Sequence, residues 1–286
     1  MLEEIVNRNN ILRKMYDYSL QLKKLHIKSM INKEAYFKNS PILVNSFPKS
    51  GTHLLYQVLK SIPSVKSYGT FITSMPALPH KKVNNSKINK KIQSLIPGEV
   101  ARGHIFYEEL YAESLSTMNV SNYFIYRDLR DVVISEAHYL TNMLRWHSLH
   151  PIFKNLKNKE QRILFAITGD FENKTGIYYP NIAERFNHYK FWIDDESTLA
   201  IRFEDLIGDN QYNKIKEIIK HYLKHSTIDI DPAILTTWAQ NHILPEKSHT
   251  YRKGKKRKWK ETLSERHLDI FNQIAGELNR DIGYSD

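Results

Sequence analysis

The chain has 286 residues and no cysteine, which excludes a disulfide framework and a thiolate zinc site. Its 42 lysine and arginine residues outnumber 31 aspartate and glutamate residues, so the formal net charge of +11 favours anionic ligands. The first ten residues lack the pattern of a signal peptide, and no run of about eighteen apolar residues could span a membrane. We therefore expect a cytoplasmic protein with one large α/β domain and no transmembrane segment.

Residues 1–40 contain the pattern of an amphipathic helix. Apolar residues recur at the three-to-four spacing of one helix face, namely Ile11, Met15, Tyr18, Leu22 and Leu25. This N-terminal helical segment is predicted to cover the main domain, residues 41–286, by packing its apolar face against it. An amphipathic membrane anchor is the alternative.

A polar turn follows the first predicted strand, an apolar run over residues 42–47. The turn reads Pro-Lys-Ser-Gly-Thr and opens a helix, where unpaired N–H groups and the helix dipole favour a phosphate or sulfate. Lys49, Ser50 and Thr52 add a cation and two hydroxyl groups, and Gly51 permits close approach of the backbone. The turn therefore predicts an anion-binding site.

The remaining chain alternates between predicted strands and helices. Residues 75–98 contain three prolines and a lysine- and asparagine-rich stretch, which predicts a mobile loop or short helix over the site. Further strands are predicted at residues 99–104, 122–126 and 198–203. This order predicts a single α/β domain with a central, mainly parallel sheet flanked by helices, whose ligands gather at the carboxyl ends of the strands.

Two later segments also carry groups suited to an anion. In Tyr126-Arg-Asp-Leu-Arg-Asp-Val-Val-Ile-Ser135, the Arg127 fork suits a dianion and the Ser135 hydroxyl adds a short hydrogen bond. Residues 252–260 read Arg-Lys-Gly-Lys-Lys-Arg-Lys-Trp-Lys, which is denser in charge than an ordinary solvated face. On charge alone, a localisation or nucleic-acid tract is the less favoured alternative.

Together the three segments resemble the cytosolic and bacterial sulfotransferases that use 3′-phosphoadenosine 5′-phosphosulfate (PAPS). Pro48-Lys-Ser-Gly-Thr52 looks like the 5′-phosphosulfate loop, and residues 126–135 resemble the 3′-phosphate segment. Tyr251-Arg-Lys-Gly254 followed by Trp259 is similar to the late Arg-Lys-Gly segment. The resemblance spans roughly residues 42–262 and implies a P-loop-kinase-like sulfotransferase fold around about five strands.

The resemblance also implies a set of site residues, with PAPS as co-substrate and no metal. The residues expected to bind PAPS are Lys49, Ser50, Gly51, Thr52, His53, Arg127, Ser135, Phe203, Trp238, Tyr251, Arg252, Lys253 and Gly254. Leu54 stands where many relatives carry an adenine-stacking tryptophan, so Phe203, Trp238 and Thr236 are the candidates for the adenine side. Arg257 and Lys258 replace a usual glycine and an acidic or small polar residue, which leaves the loop conformation open.

Sulfuryl transfer needs a cation for the departing 5′-phosphate and a base for the acceptor proton. Lys49 suits the first role, and His104 is the candidate base because it ends a predicted strand between the two phosphate segments. His53 is the competing histidine. A lone histidine is more often structural, so the assignment of His104 depends on the resemblance.

Two other functions remain open on the residues alone. A P-loop kinase-like phosphotransferase is disfavoured because the Walker loop has its lysine after the last glycine, whereas Lys49 precedes Gly51. A non-catalytic nucleic-acid-binding protein would use residues 252–260. We expect instead a hydroxyl- or amine-bearing small-molecule or glycan acceptor, held by the loops 68–98 and 139–180, and no nucleic acid partner. The acceptor's identity and the oligomeric state are not predicted.

Overall fold

The computed structural model describes residues 10–243 and 257–285 and contains a five-stranded sheet at its centre. All four strand pairs are parallel, in the spatial order β2-β3-β1-β4-β5. The strands are β1 (Ile42–Ser46), β2 (Phe71–Thr73), β3 (Val100–His104), β4 (Ser121–Tyr126) and β5 (Thr198–Arg202). The predicted α/β class with a mainly parallel sheet is confirmed.

The strand β1 occupies the middle of the sheet. Its Leu43 lies opposite Ala101 of β3 on one side and Asn122 of β4 on the other. The chain therefore builds the sheet outward in both directions from β1. In open parallel sheets, ligands bind at the carboxyl ends of the strands, at the point where the strand order changes direction, which here is β1.

Helices cover both faces of the sheet. They are α1 (Asn10–Lys28), α2 (Glu34–Lys38), α3 (Thr52–Lys60), α4 (Asn85–Ile92), α5 (Glu109–Thr117), α6 (Leu129–Asn142), α7 (His150–Asn155), α8 (Lys159–Thr168), α9 (Ile182–Asn187), α10 (Gln211–Lys224), α11 (Pro232–His242), α12 (Trp259–Thr262) and α13 (Glu265–Asp281). Short 3₁₀ turns occupy Lys190–Trp192 and Phe203–Leu206. None of these described helices is long and apolar enough to cross a membrane.

Alternating strand residues separate two hydrophobic cores. Leu43 and Phe124 face a core completed by α5, α6, α8 and α13. Ile42 and Tyr123 face the opposite core, which α3, α10 and α11 complete. Because each fully buried side chain of this size stabilises the fold by about 1.5–3 kcal/mol, the central strands are rigid supports for the loops at their ends.

The structure agrees with the four predicted strands to within one residue at each end and adds one. The added strand, β2, has only three residues, and its Phe71 is 42% exposed. Within residues 75–98 the predicted short helix is present as α4, whose Ile88 and Ile92 are buried in the core. This helix is therefore part of the packed domain.

The N-terminal helix α1 is present, but its apolar face does not pack against the domain as predicted. It docks instead through polar side chains, since Lys24 Nζ lies 2.8 Å from Glu99 Oε1 and Gln21 Nε2 donates to the Tyr68 carbonyl at 2.6 Å. Glu99 is fully buried, so its carboxylate requires a buried cation. The boundary between residues 1–40 and 41–286 stays a prediction.

Candidate active site

A cavity of about 800 Å³ opens at the carboxyl edge of the sheet. Its wall includes one residue that follows or ends each of four strands: Lys49 after β1, His104 at the end of β3, Arg127 after β4 and Phe203 after β5. The size is within the range of small-molecule sites. Segments far apart in the chain therefore meet at one site because their strands are parallel neighbours.

The loop between β1 and α3 has a left-handed backbone at two residues, Lys49 (φ 70°) and Gly51 (φ 99°). At Gly51 a side chain is also excluded by space, because a Cβ atom there would lie 2.4 Å from Cδ2 of Phe203. Glycine alone meets both conditions. The close contact fixes the start of α3 against the end of β5.

Hydroxyl groups line the inner side of this loop. Ser50 is fully buried, and its Oγ has no hydrogen-bond partner among the described residues. Thr52 Oγ1 lies 2.6 Å from Ser46 Oγ. Buried hydroxyl groups normally have partners, so the Ser50 Oγ can accept or donate one more hydrogen bond, but of Ser50 and Thr52 only Thr52 is part of the cavity wall.

Lys49 reaches the cavity across an aromatic ring. Its Nζ lies 3.7 Å from the ring centroid of Tyr139, which belongs to α6 and also lines the cavity. A cation–π contact of this kind holds the ammonium group in place without neutralising its charge. The side chain is therefore positioned as a fixed positive charge.

His104 is held by Ser46 of the neighbouring strand. Its Nδ1 lies 3.1 Å from the Ser46 carbonyl oxygen and 3.0 Å from Ser46 Oγ. Because a carbonyl can only accept, Nδ1 carries the ring proton when it makes the first bond, and Nε2 is then left as the acceptor. Phe71 packs edge-on against the ring, with centroids 5.3 Å apart.

The environment of His104 keeps its imidazole neutral. Burial lowers its pKa from 6.5 to about 4, and the nearby charges of Lys49 and Arg102 act in the same direction. The Ser46 carbonyl opposes these effects. A neutral imidazole with its acceptor nitrogen available can take a proton from a hydroxyl group.

Arg127 lies beside the start of α6. Its Nη2 donates to Asp131 Oδ2 at 2.9 Å, and its guanidinium lies 4.5 Å from the ring centroid of Phe203. Ser135, two turns along α6, lines the same cavity. The structure thus brings together the two residues predicted to hold the 3′-phosphate.

Asp131 was not a predicted site residue, yet it connects two parts of the site. It binds Arg127 and also accepts a hydrogen bond from the Trp259 backbone N–H at 2.9 Å. Burial raises its pKa, and Arg127 opposes this effect. The signal in the sequence was weak, because an aspartate in the first turn of a helix is ordinarily explained by the helix dipole.

The start of α6 is also bound by the C-terminal helix α13. The Leu129 N–H donates to Asn279 Oδ1 at 3.0 Å, and Asp128 accepts from the Arg130 N–H at 2.9 Å. Asn279 is buried. These bonds satisfy backbone donors that a helix start leaves without internal partners, and they fix the turn that carries Arg127.

The late basic segment is described only from residue 257. Trp259 is buried with the Arg130 guanidinium 3.7 Å from its ring centroid, and Lys258 and Glu261 line the cavity. The other predicted residues of this segment, Tyr251, Arg252, Lys253 and Gly254, lie outside the described residues.

The predicted adenine side is only partly assembled in the cavity wall. Phe203, His53 and Leu54 are part of the wall, whereas Trp238 and Thr236 are not. The Trp238 indole N–H instead donates to the Ser61 carbonyl at 2.7 Å, and its ring stacks on His242. Three residues that were not predicted, Gln57, Ile207 and Gln211, contribute to the wall.

The opposite part of the wall mixes aromatic, histidine and charged side chains. His80 and His147 lie with ring centroids 5.0 Å apart, and Arg185 Nη2 donates to Glu136 Oε2 at 2.9 Å. Burial lowers the pKa of His147 to about 4.

The loops predicted to hold the acceptor, 68–98 and 139–180, contain six aromatic residues suited to this role: Tyr68, Phe71, Tyr139, Trp146, Tyr178 and Tyr179. Four of them, Phe71, Tyr139, Tyr178 and Tyr179, line the wall, whereas Tyr68 and Trp146 do not. Within the segment 75–98 predicted to lie over the site, the loop residues Met75, Pro76, Ala77 and His80 line the cavity, whereas no residue of α4 does.

Comparison with known proteins identifies the family. The sulfotransferase domain family matches residues 39–283. The chain belongs to the sulfotransferases. The resemblance drawn from the three segments is thus confirmed, and the kinase and nucleic-acid alternatives are displaced.

Individual relatives of this sulfotransferase are distant. It is 21% identical to a flavonol 3-sulfotransferase of Flaveria bidentis over 264 residues, 85% of this chain and 84% of that enzyme. A mouse sulfotransferase complexed with PAP has a TM-score of 0.56 at 16% identity, covering 87% of this chain and 91% of that one. Retinol dehydratase in complex with androsterone and the inactive cofactor PAP has a TM-score of 0.54 at 15% identity, covering 87% and 83%. The structural likeness supports the predicted fold.

Proposed function

We propose that this sulfotransferase moves a sulfuryl group from PAPS to a hydroxyl or amine of an acceptor and releases adenosine 3′,5′-bisphosphate (PAP). The observation that carries the proposal is the meeting of the Lys49 loop, His104, Arg127 and Ser135 in one cavity. The PAP complexes of the mouse sulfotransferase and retinol dehydratase support the same choice of donor.

The described residues fit the two ends of the donor. The left-handed loop at Lys49 and Gly51, the Thr52 hydroxyl and the start of α3 suit a phosphosulfate. Arg127 and Ser135 suit the 3′-phosphate, which Tyr251, Arg252, Lys253 and Gly254 are proposed to cover. PAPS would supply the sulfuryl group and the phosphate that leaves.

The protein's own contribution to the reaction is proposed to be electrostatic and positional. Nε2 of His104 removes the acceptor proton, and the Ser46 carbonyl holds Nδ1 and so orients the ring. The Lys49 ammonium neutralises the charge that develops on the departing phosphate. Direct displacement needs no Lewis acid, so we expect full activity in the presence of a chelator.

The acceptor is proposed to be a small molecule or glycan that fits a mixed aromatic and polar wall. Phe71, Tyr139 and Tyr178 supply flat apolar surface, while His80 and Arg185 supply polar groups. The flavonol substrate named for the Flaveria bidentis relative supports an aromatic acceptor. The cytoplasmic location stays a prediction.

Binding and turnover test this proposal. Transfer of label from PAPS to an acceptor mixture should proceed in excess EDTA. PAP should bind more tightly than adenosine 5′-phosphate. Arg127→Ala should weaken the binding of PAP by about 2–4 kcal/mol, because it removes a charge-assisted contact. Arg266→Ala, at an exposed arginine of α13, is the matched control and should leave PAP affinity unchanged. Equal affinity of the unmodified protein for the two adenosine phosphates would refute the proposal.

A further inference from the structure

The helix α1 presents a stripe of large apolar side chains to solvent. The exposed fractions are 64% for Met15, 74% for Tyr18, 69% for Leu22 and 66% for Leu25. These four residues, here called the α1 stripe, recur at a three-to-four spacing and so lie on one face of the helix. A continuous exposed apolar face of this kind indicates an interaction surface.

The opposite face of α1 fixes the direction of the stripe. Lys24 is buried and paired with Glu99, and its Nζ also donates to Thr70 Oγ1 at 3.1 Å. Gln21 Nε2 donates to the same Thr70 oxygen at 3.1 Å. Rotating the helix to bury the stripe would remove the cation from a fully buried carboxylate, which is strongly unfavourable. The domain therefore cannot cover the stripe itself without breaking this pair.

The charge of α1 indicates which surface would cover the stripe. Between Asn10 and Lys28 the helix carries five lysine and arginine residues against one aspartate, and four of the five are other than Lys24, which is paired with Glu99. A second copy of the helix would bring the same charge to the contact, whereas an anionic surface complements it. Apolar residues on one face and basic residues elsewhere, with low mean hydropathy, are typical of helices that lie in a lipid interface.

We propose that α1 docks the protein on an anionic lipid surface, with the α1 stripe in the boundary between headgroups and acyl chains. Met30, just beyond the helix, is another apolar residue exposed to solvent, at 73%. Thr70, which α1 contacts, precedes Phe71 of the cavity wall. Docking would therefore place the Phe71 side of the cavity behind α1, about one helix diameter of 10–12 Å from the lipid. The proposal stands on α1 alone and does not depend on the proposed function.

Flotation with vesicles tests the proposal on the full chain. The protein should bind vesicles of phosphatidylcholine with 30% phosphatidylserine at least tenfold more tightly than vesicles of phosphatidylcholine, and salt should weaken this binding. Leu22→Gln combined with Leu25→Gln should reduce binding at least tenfold. Ile234→Gln changes an apolar residue of α11 that is similarly exposed, at 64%, and should leave binding unchanged. Because all three residues are exposed, these variants should fold, which circular dichroism verifies.

Two results would overturn the proposal. The first is failure of the unmodified protein to bind the anionic vesicles at low salt. The second is a dimer in analytical ultracentrifugation that the Leu22→Gln and Leu25→Gln pair dissolves while vesicle binding stays the same, since the stripe would then join two copies of this chain.

Discussion

The histidine at the end of β3 combines a buried ring with two neighbouring cations, and this has a measurable effect on pH dependence. With its pKa lowered to about 4, His104 is neutral over the whole range in which an unperturbed histidine titrates. If Nε2 is the base, the acid limb of kcat/KM should lie near pH 4–5 and not near 6.5. Initial rates between pH 4 and 8, at constant ionic strength, measure this. If the acid limb of the kcat/KM profile lies near pH 6.5 and stays there in a His53→Ala variant, the assigned environment of His104 is contradicted.

The two candidate bases can be separated by substitution. His104→Ala should abolish most transfer and leave PAP binding intact, because the ring is proposed to act on the acceptor. His53→Ala should instead weaken the binding of PAP more than it slows transfer, because His53, in the first turn of α3, lines the cavity next to the loop proposed to bind the donor. Steady-state kinetics with calorimetry of PAP binding distinguishes the two patterns, and the reverse result would move the base to His53.

The Lys49 ammonium is held over Tyr139 and is predicted to act on the leaving group. Lys49→Ala should lower kcat by roughly 10²-fold or more and leave PAP binding measurable, as expected when a charge partner of the transition state is lost. Lys60→Ala, at the exposed end of α3, is the matched control and should retain full activity. An unchanged kcat in folded Lys49→Ala would remove this residue from the reaction.

Gly51 is predicted to tolerate no side chain. Gly51→Ala should lower the free energy of unfolding by about 1–3 kcal/mol because a non-glycine residue at φ 99° is strained and its Cβ meets Phe203. Adding Phe203→Ala should recover only the part caused by the contact, since the backbone strain remains. Urea denaturation measures both variants, and an unaffected Gly51→Ala protein would contradict the described loop.

The residues predicted to bind PAPS could be recognised in the sequence because they are contiguous or directly follow a predicted strand. Lys49, Ser50 and Thr52 stand in one turn, and Arg127 directly follows an apolar run. Asp131 and Ser46 were missed because their roles depend on partners 128 and 58 residues away in the chain. Trp238 was assigned to the adenine side from its residue type, but the hydrogen bond of its indole to Ser61 holds it outside the described cavity wall.

At the scale of elements, apolar patterns predicted where helices and strands lie better than how they are oriented. The long strands β1 and β4 were predictable because both their faces are buried, whereas β2 is too short to give a pattern. The periodicity of α1 showed which residues share a face. It did not show which face docks, because the orientation of α1 is set by the buried carboxylate of Glu99, just before β3.

The ion pair under α1 leads to a stability prediction. Burial lowers the pKa of Lys24, while Glu99 opposes this effect. Lys24→Met should lower the free energy of unfolding by about 3 kcal/mol because it leaves a buried carboxylate without its cation. Lys23→Met, at the exposed neighbouring lysine, should change it by less than about 0.5 kcal/mol.

Urea denaturation of both variants measures this difference. Adding Glu99→Gln to Lys24→Met should restore part of the loss, since the uncompensated charge is then gone. Equal effects of the two lysine substitutions would mean that α1 does not dock through Lys24.

For the whole molecule, partly buried histidines with lowered pKa values predict sensitivity to acid. Burial lowers the pKa of His104, His147 and His221 to about 4 in each case. The unfolded chain therefore binds more protons than the folded one between pH 6.5 and 4, and stability should fall as the pH falls through this range. Each of these histidines should lower the free energy of unfolding at pH 5 by about 2 kcal/mol relative to its value at neutral pH.

His221 offers a way to check this effect away from the cavity. His221→Gln keeps a donor for the Asn122 carbonyl but removes the titrating group. The variant should lose less stability than the unmodified protein between pH 7 and pH 5, by urea denaturation. An identical pH dependence would show that His221 titrates normally in the folded protein.

The bond between Leu129 and Asn279 has a consequence for synthesis of the protein on the ribosome. All five strands lie before residue 203, yet the turn that carries Arg127 lacks one of its hydrogen-bond partners until Asn279 has been made. A nascent chain can therefore pair its sheet during translation, while the turn proposed to hold the 3′-phosphate gains this bond only after α13 has left the exit tunnel. A ribosome-stalled chain ending before α13 should accordingly contain the sheet but fail to retain PAP.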